Sequence, residues 1–508
     1  MKNIKSMRKL RFHYFSVVML ALISAYPIYI VHSSYPLPLH SDEWNHLTIA
    51  REIITAKKFI DYNPYLGPRY KVRNWEPGFS IILAVFWQIS SLSISELSYV
   101  WPALISIILT LNTFVLVQWL RNDIITSFSA GFLALTIKSN VTLLGLWFIV
   151  PVAFGMSQLP FLIYLFLRAI HDHLKKLEPF FLSLILSFIA TTLVHPPATV
   201  LLVPVFFLYL LTQPRVLWMK RYIISLFLIS LLCLSSQFID ITKFGDKEEI
   251  KKILHQFTFR DETYYTYHKF FSYPRYLGYD IILLALCGVY VCASDNSKHS
   301  RVLIFVLITL LPFIIQFYHT RTIFLFPYRR LFSYLSLILV ILAGIGVGEI
   351  YKFSFNLLPK MFKNKHLSAI SKLCLTFIWI LFLLWQMNES FAYKTKLYHL
   401  ITVKDIEAIL WLKNNTPENA IILAQPHISN TITPLSDRRV IATTKTRLQS
   451  SDKTRKDVHK FFTGNCEDKK NILESYKVGY IFSKHKISCS FLNLTYSKSG
   501  NYIYHFVR

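Results

Sequence analysis

Asp42 and Glu43 are adjacent carboxylates one helical turn before His46, in the stretch PLHSDEWNHLTIAREIITAKKFIDYNPYLGP. Paired acids in unlike environments can divide general acid and base work, or hold a hard cation such as Mg²⁺ or Mn²⁺ through oxygen. A second set, Arg260, Asp261, Glu262, Tyr265 and His268, lies in a basic, aromatic-rich stretch suited to holding phosphate and stacking on a ring. Arg329 and Arg330 open a long apolar segment, where the amino end of a helix also favours an anion. His195 stands at the His-Pro junction of LVHPPATV. Each has an ordinary structural counterpart: acids complement a helix dipole, interfacial arginines snorkel, charged loops are solvated, and helix-end histidines pack.

The segments that must position these residues are apolar. The chain has 508 residues, of which 53% are hydrophobic and 16% charged, and its mean hydropathy is +0.41. Runs of membrane-spanning length recur up to roughly residue 390 and lack the alternation of a β-barrel, so they read as helices. The pattern predicts a polytopic α-helical membrane protein with about 13 transmembrane helices. They fall at 14–33, 77–93, 98–119, 124–138, 141–155, 157–170, 179–195, 198–212, 222–239, 278–293, 302–318, 331–350 and 373–389. Pro151, Gly155 and Pro160 make the fifth and sixth a candidate broken helix or re-entrant hairpin. The formal charge of +27 is scattered among short loops, which points to membrane topology and anionic lipid and away from nucleic acid.

Lys2, Lys5, Arg8, Lys9 and Arg11 precede the first span and place the amino terminus in the cytoplasm. No small-residue cleavage site follows that span, which reads as a retained helix. Alternation then makes the loops bearing Arg168, Arg215, Lys220 and Lys352 cytoplasmic, and an odd number of spans sends the tail outside. The expected organisation is a transmembrane domain over 1–390, with outer loops 34–76 and 240–277, and a small extracytoplasmic α/β domain over 391–508. In that tail TVKDIEAILWLKNNTPENAIILAQP reads as an amphipathic helix, a turn and a strand, and SGNYIYHFVR as an edge strand. Cys466 and Cys489, both in the tail, are the one pairing candidate; Cys233, Cys287, Cys292 and Cys374 fall in or near apolar spans. In the first outer loop Ser41 is positioned to cap a helix whose apolar residues include Leu47, Ile49, Ala50, Ile53 and Ile54.

Together these stretches resemble the C-type glycosyltransferase superfamily, GT-C, which includes protein O-mannosyltransferases, aminoarabinose transferases of lipid A and the catalytic subunit of oligosaccharyltransferase. The residues that carry the resemblance are Asp42 and Glu43, Asn63-Pro64-Tyr65, Pro77-Gly78, the His195-Pro196 junction, FLFPYRRLFSYLSLILVILAGIGVGEI, and the later IEAILWLKNNTPENAIILAQP and SDRRVIA. The resemblance implies a polyprenyl-phosphate-linked sugar donor at the outer leaflet and an acceptor that attacks the anomeric carbon. It makes Asp42 the general base or a metal ligand, with Glu43 as its partner. Of the two arginines at the amino end of the late span, adjacent and so pointing in different directions, Arg330 is preferred to Arg329 as the cation at the departing phosphate. His46, His195 and the Arg260 to His268 loop would line the substrate site, the loop acting as a lid. A divalent ion, Mg²⁺ or Mn²⁺, is left open, with Asp42 and Glu43 as its ligands.

Other readings make different demands. A flippase or transporter of lipid-linked saccharides binds near the bilayer midplane, whereas these spans are almost bare of charge. A surface-polysaccharide polymerase or ligase is also multi-span, but leaves the early acidic pair and the soluble tail without a role. Nucleotide-binding glycine patterns, zinc spacings and a Gly-x-Ser-x-Gly elbow are absent from the sequence. The implied partners are the lipid-linked donor, an acceptor glycan, lipid or protein, and membrane lipid, in what reads as a bacterial inner membrane.

Overall fold

The computed structural model describes residues 2–71, 76–139, 144–173, 178–212, 276–295, 299–320, 328–362, 364–391, 399–444, 448 and 450–507, with side chains from residue 13 onward except at 172, 173, 178, 328 and 329. The expected span at 222–239, residues 240–275 of the second outer loop, and with them Arg260, Asp261, Glu262, Tyr265 and His268 lie outside the described residues, as does the Arg329 side chain.

Sixteen helices occur among the described residues. The first eight are α1 (Lys2–His32), α2 (Ser41–Ala56), α3 (Pro77–Ser90), α4 (Ile94–Arg121), α5 (Ile124–Ala134), α6 (Pro151–His173), α7 (Glu178–Val194) and α8 (Pro196–Leu211). They continue as α9 (Tyr279–Ala293), α10 (Arg301–Thr320), α11 (Tyr328–Met361), α12 (Lys365–Phe391), α13 (Val403–Asn415), α14 (Pro426–Ser436), α15 (Asp452–Thr463) and α16 (Cys466–Ser475). The chain divides into two compact units, one of residues 1–34, 99–147 and 151–396, the other of 35–98, 148–150 and 397–508.

The first unit is a helical bundle. Among the described residues six helices are long and apolar enough to cross a membrane, within α1, α4, α6, α10, α11 and α12; α3, α5, α7, α8 and α9 are apolar but shorter. The most deeply buried is α11, whose small residues bring other backbones close. A Cβ at Gly344 would overlap Ala130 and one at Gly348 would overlap Thr126, both on α5, while Gly346 and Gly288 let α9 and α11 meet backbone to backbone. Where lipid supplies no hydrophobic drive between helices, such close approach supplies the packing.

Polar contacts mark the two ends of this bundle. At one, Arg121 bonds Glu349 at 2.8 Å and Asp295 at 3.3 Å, Lys352 bonds Glu349 at 3.1 Å, and Tyr209 Oη lies 2.6 Å from His299 Nδ1. At the other, His32 Nε2 lies 3.3 Å from the Trp147 carbonyl, Tyr276 donates to the Lys138 carbonyl at 2.5 Å, and Gln386 bonds Asp280. Since α4 finishes at the Arg121 end and α1 finishes at the His32 end, α1 ends and α4 begins at the same end. The stretch expected to cross at 77–93 is therefore not a single crossing between them. It forms α3, only 14 residues long, which clusters with the second unit. The stretches expected as separate spans at 141–155 and 157–170 form one helix, α6, running from Pro151 through Gly155 and Pro160. Pro151 takes its first position, where the missing N–H is not needed.

The second unit is α/β. Strands β1 (Ile421–Leu423), β2 (Arg439–Val440), β3 (Tyr480–Ser483), β4 (Leu492–Lys498) and β5 (Asn501–Phe506) form a sheet of order β2-β1-β3-β5-β4. The β1 strand is parallel to β2 and β3, and β5 is antiparallel to β3 and β4. Ser499 and Gly500 turn the β4–β5 hairpin with φ of 55° and 78°, the sign a tight two-residue hairpin turn requires. Leu423, Val458, Phe461, Leu473, Ile481 and Phe506 fill the core under α15 and α16, and Cys466 is disulfide-bonded to Cys489.

Residues 35–71 are built onto this sheet. The Tyr65 carbonyl accepts from Val440 N at 3.0 Å and so covers the β2 edge. Asn63 Nδ2 donates to Leu448 O at 3.0 Å, and Tyr65 Oη to Asn430 O at 3.0 Å. Arg51 on α2 bonds Asp437 through both Nε and Nη2, at 3.0 and 3.2 Å. Arg438 is buried and caps α13, donating to the carbonyls of Lys413 and Thr416.

Candidate functional site

The amino end of α2 carries the acidic pair, and the two acids part company there. His40, not Ser41, is the N-cap residue, and its Nδ1 accepts from Asp42 N at 3.1 Å. Glu43 is fully buried. One of its oxygens accepts from Leu39 N at 2.6 Å and His40 N at 2.9 Å, the other from Ile149 N at 2.8 Å. Burial pushes the Glu43 carboxyl up to about 8 against the pull of these three amides, and the Asp42 charge adds to the rise. Asp42, by contrast, keeps 42% of its side chain exposed, with His40 Nδ1 at 3.7 Å. Because that same nitrogen accepts the Asp42 amide, it is not free to donate to the carboxylate in the neutral ring. The result is one carboxylate locked inside and one open to a reactant.

His46 is one turn further along α2 and is buried, its ring edge-on to Phe79 of α3 at 4.9 Å. The α2 segment is held by a reciprocal cap at His40 and Glu43, by Trp44 and Leu47 in its buried face, and by the Arg51 bond to Asp437.

In the bundle, His195 and Arg330 are brought together. His195 is the residue between α7 and α8, fully buried, and Arg330 Nη1 lies 3.3 Å from its Nδ1. The Tyr334 ring, one turn along α11, is 6.2 Å from the His195 ring. Gly155 leaves the space: a Cβ there would meet His195 Cδ2 and the Tyr334 hydroxyl. Arg330 thus sits in the first turn of α11 beside His195, where the amino end of α11 favours an anion; the first turn of α8 opens with Pro196 and Pro197, which have no N–H to offer.

Sequence reasoning did not find His40, Gly155 or Tyr334. Tyr334 was detectable as the residue one turn after Arg330; Gly155 was read only as a helix breaker, and its role depends on a neighbour forty residues away. The residues expected to hold a divalent ion do not fit one well. The Glu43 oxygens face three backbone amides, and among the described residues no group of three His, Cys, Asp or Glu side chains is placed to share a metal.

The fold is that of the GT-C glycosyltransferases. The oligosaccharyltransferase of Archaeoglobus fulgidus, in the apo form, superposes with a TM-score of 0.60 at 12% identity, covering 93% of this chain and 69% of that one. ArnT from Cupriavidus metallidurans, bound to undecaprenyl phosphate, gives a TM-score of 0.58 at 11% identity over 96% of this chain and 97% of that one. The Archaeoglobus enzyme AglB has also been solved with an inhibitory peptide and a dolichol-phosphate, and that structure gives a TM-score of 0.51 at 12% identity over 93% and 69% of the two chains. No curated protein matches the chain. By sequence the chain belongs to a family of unknown function, DUF6541, whose pattern matches residues 77–485.

Proposed function

We propose that the chain is a membrane glycosyltransferase that moves a hexosyl or pentosyl unit from a polyprenyl-phosphate-linked donor to an acceptor on the extracytoplasmic face. The observation that carries the reading is the contrast at α2, where Glu43 is sealed against backbone amides while Asp42 is left open. In this reaction the acceptor oxygen attacks the anomeric carbon, its proton passes to the Asp42 carboxylate, and the bond from that carbon to the phosphate oxygen breaks. The lipid phosphate leaves with the bonding electrons, and the Arg330 guanidinium, oriented by His195, takes up its charge. Glu43 is a positioning residue that fixes the turn presenting Asp42.

Both GT-C structures solved with a polyprenyl phosphate support this donor class. The Cys466–Cys489 bridge supports an oxidising, extracytoplasmic setting for the second unit. Arg121, Lys352, Lys360 and Lys365 gather toward the Arg121 end of the bundle, which supports that end as the cytoplasmic one in a bacterial inner membrane. The test is mass spectrometry of polyprenyl-linked sugars and glycosylated products in membranes holding the wild-type chain, Asp42→Asn, or neither. Consumption of a lipid-linked sugar with the wild type alone is expected. Full transfer by Asp42→Asn would remove the base, and unchanged pools in all three would turn the assignment toward transport.

A further inference from the structure

A cavity of about 510 Å³ opens in the second unit between α15, the start of α16 and the segment after β3. That is the size of a ligand pocket for one or two rings. Its lining includes His459, Phe462, Lys469, His485 and Lys486, and it includes no carboxylate. Four lysines of this unit pair with acids, Lys413 with Asp437, Lys460 with Asp468, Lys484 with Asp405 and Lys498 with Glu407; the two that line the cavity are in no such pair. Lys486 is exposed and has no ion-pair partner among the described residues, and Lys469 donates to the Gly464 carbonyl with two ammonium hydrogens left over. Phe462 offers a half-buried aromatic face. The Cys466–Cys489 bridge forms part of the wall and ties α16 to the segment carrying His485 and Lys486.

We infer that this cavity binds a negatively charged sugar unit of an acceptor glycan, its acid group against Lys486 and Lys469 and its apolar ring face on Phe462. The inference rests on the transferase reading and gives it an acceptor class, acidic saccharide. A cavity with cations and no acid selects anions, and charge-assisted bonds carry most of the discrimination. The aromatic face distinguishes a sugar from a bare anion.

The test uses the full chain in lipid nanodiscs and a fluorescent tetragalacturonide, with a neutral glucan of equal length and inorganic phosphate as competitors. Binding of the acidic probe is expected, with the neutral glucan about tenfold weaker or worse. Lys486→Glu should lower affinity by about tenfold or more, Lys486→Arg should keep it, and reduction of the disulfide should weaken it. Phe462→Ala should weaken the tetragalacturonide and leave phosphate competition unchanged. Equal binding of the neutral glucan, indifference to Lys486→Glu, or phosphate competing as well as the saccharide would each overturn the inference. Failure of the transferase reading is read separately, as missing transfer in membranes while the probe still binds.

Discussion

Ile149 N donates to Glu43 Oε1 over 2.8 Å, joining residues 106 positions apart. A three-residue piece of chain just before α6 is thereby clamped to the first turn of α2. Glu43 is the shared acceptor of both segments, and this suits it to orienting its neighbour Asp42.

The clamp predicts a pH signature. Glu43 is raised from 4.5 to about 8 in the folded chain, so its proton is held more tightly there than in the unfolded one. Stability tied to that proton is complete below 4.5 and is lost as pH rises through about 8. Thermal unfolding in nanodiscs should fall between about pH 5 and about pH 9, and Glu43→Gln should flatten the fall. Glu43→Ala, which leaves three amides without an acceptor, should cost about 3 kcal/mol or more. A slope that survives Glu43→Gln would assign the titration to another group.

Arg330 and His195 predict a graded loss. Arg330→Lys retains charge but loses the planar fork, and transfer should drop by about a hundredfold. His195→Asn, which orients rather than contacts, should cost about tenfold and raise the concentration of lipid-linked donor needed for half-maximal rate. Rates measured with a defined lipid-linked donor check both, and an unaffected Arg330→Met enzyme would detach this arginine from the phosphate.

Gly344 predicts a packing cost. Its missing side chain admits Ala130 of α5, so Gly344→Val should destabilise the bundle by about 1–3 kcal/mol. Gly479→Ala, where an added Cβ meets nothing within 4 Å, is the matched control. Detergent melting curves that move equally for the two would contradict the close approach.

The Cys466–Cys489 bridge spans 23 positions. Removing it as Cys466→Ser with Cys489→Ser should cost about 3 kcal/mol. Proteolysis of the second unit should speed up with dithiothreitol in the wild type and be insensitive to it in the double variant. Equal proteolysis with and without reductant would show the bridge to be dispensable.

The membrane class was legible because apolar runs report burial whichever way they pack, and the tail because its helix and strand periods are distinct. The misread elements share a physical cause. Ile81, Ile82, Val85 and Ile89 give α3 the hydropathy of a span, yet the helix is only 14 residues long and clusters with the second unit; hydropathy does not report where a helix stops. At α6, Pro160 suggested a break, but one proline inside a long helix can be accommodated by its neighbours. Asp42 and Glu43 both read as helix-start carboxylates, and what separates them, burial against three backbone amides for one and exposure for the other, depends on their surroundings. The pairing of Asn63 and Tyr65 with the sheet depends on partners beyond residue 400, which no local pattern encodes.

Those long separations bear on how the molecule is made. Tyr35 Oη donates to the carbonyl of Ile401, 366 positions later, and Tyr65 waits for β2 over a similar distance. At a synthesis rate of about 5–20 residues per second, the amino-terminal segment must spend about 20–70 s on the ribosome-bound chain before its partner exists. During that interval its buried residues, Trp44, Tyr65 and Glu43 among them, have no finished surface to close against. Assembly of the second unit is therefore post-insertional: the first loop is translated early, and it can complete its fold only after the last helices have been delivered to the bilayer.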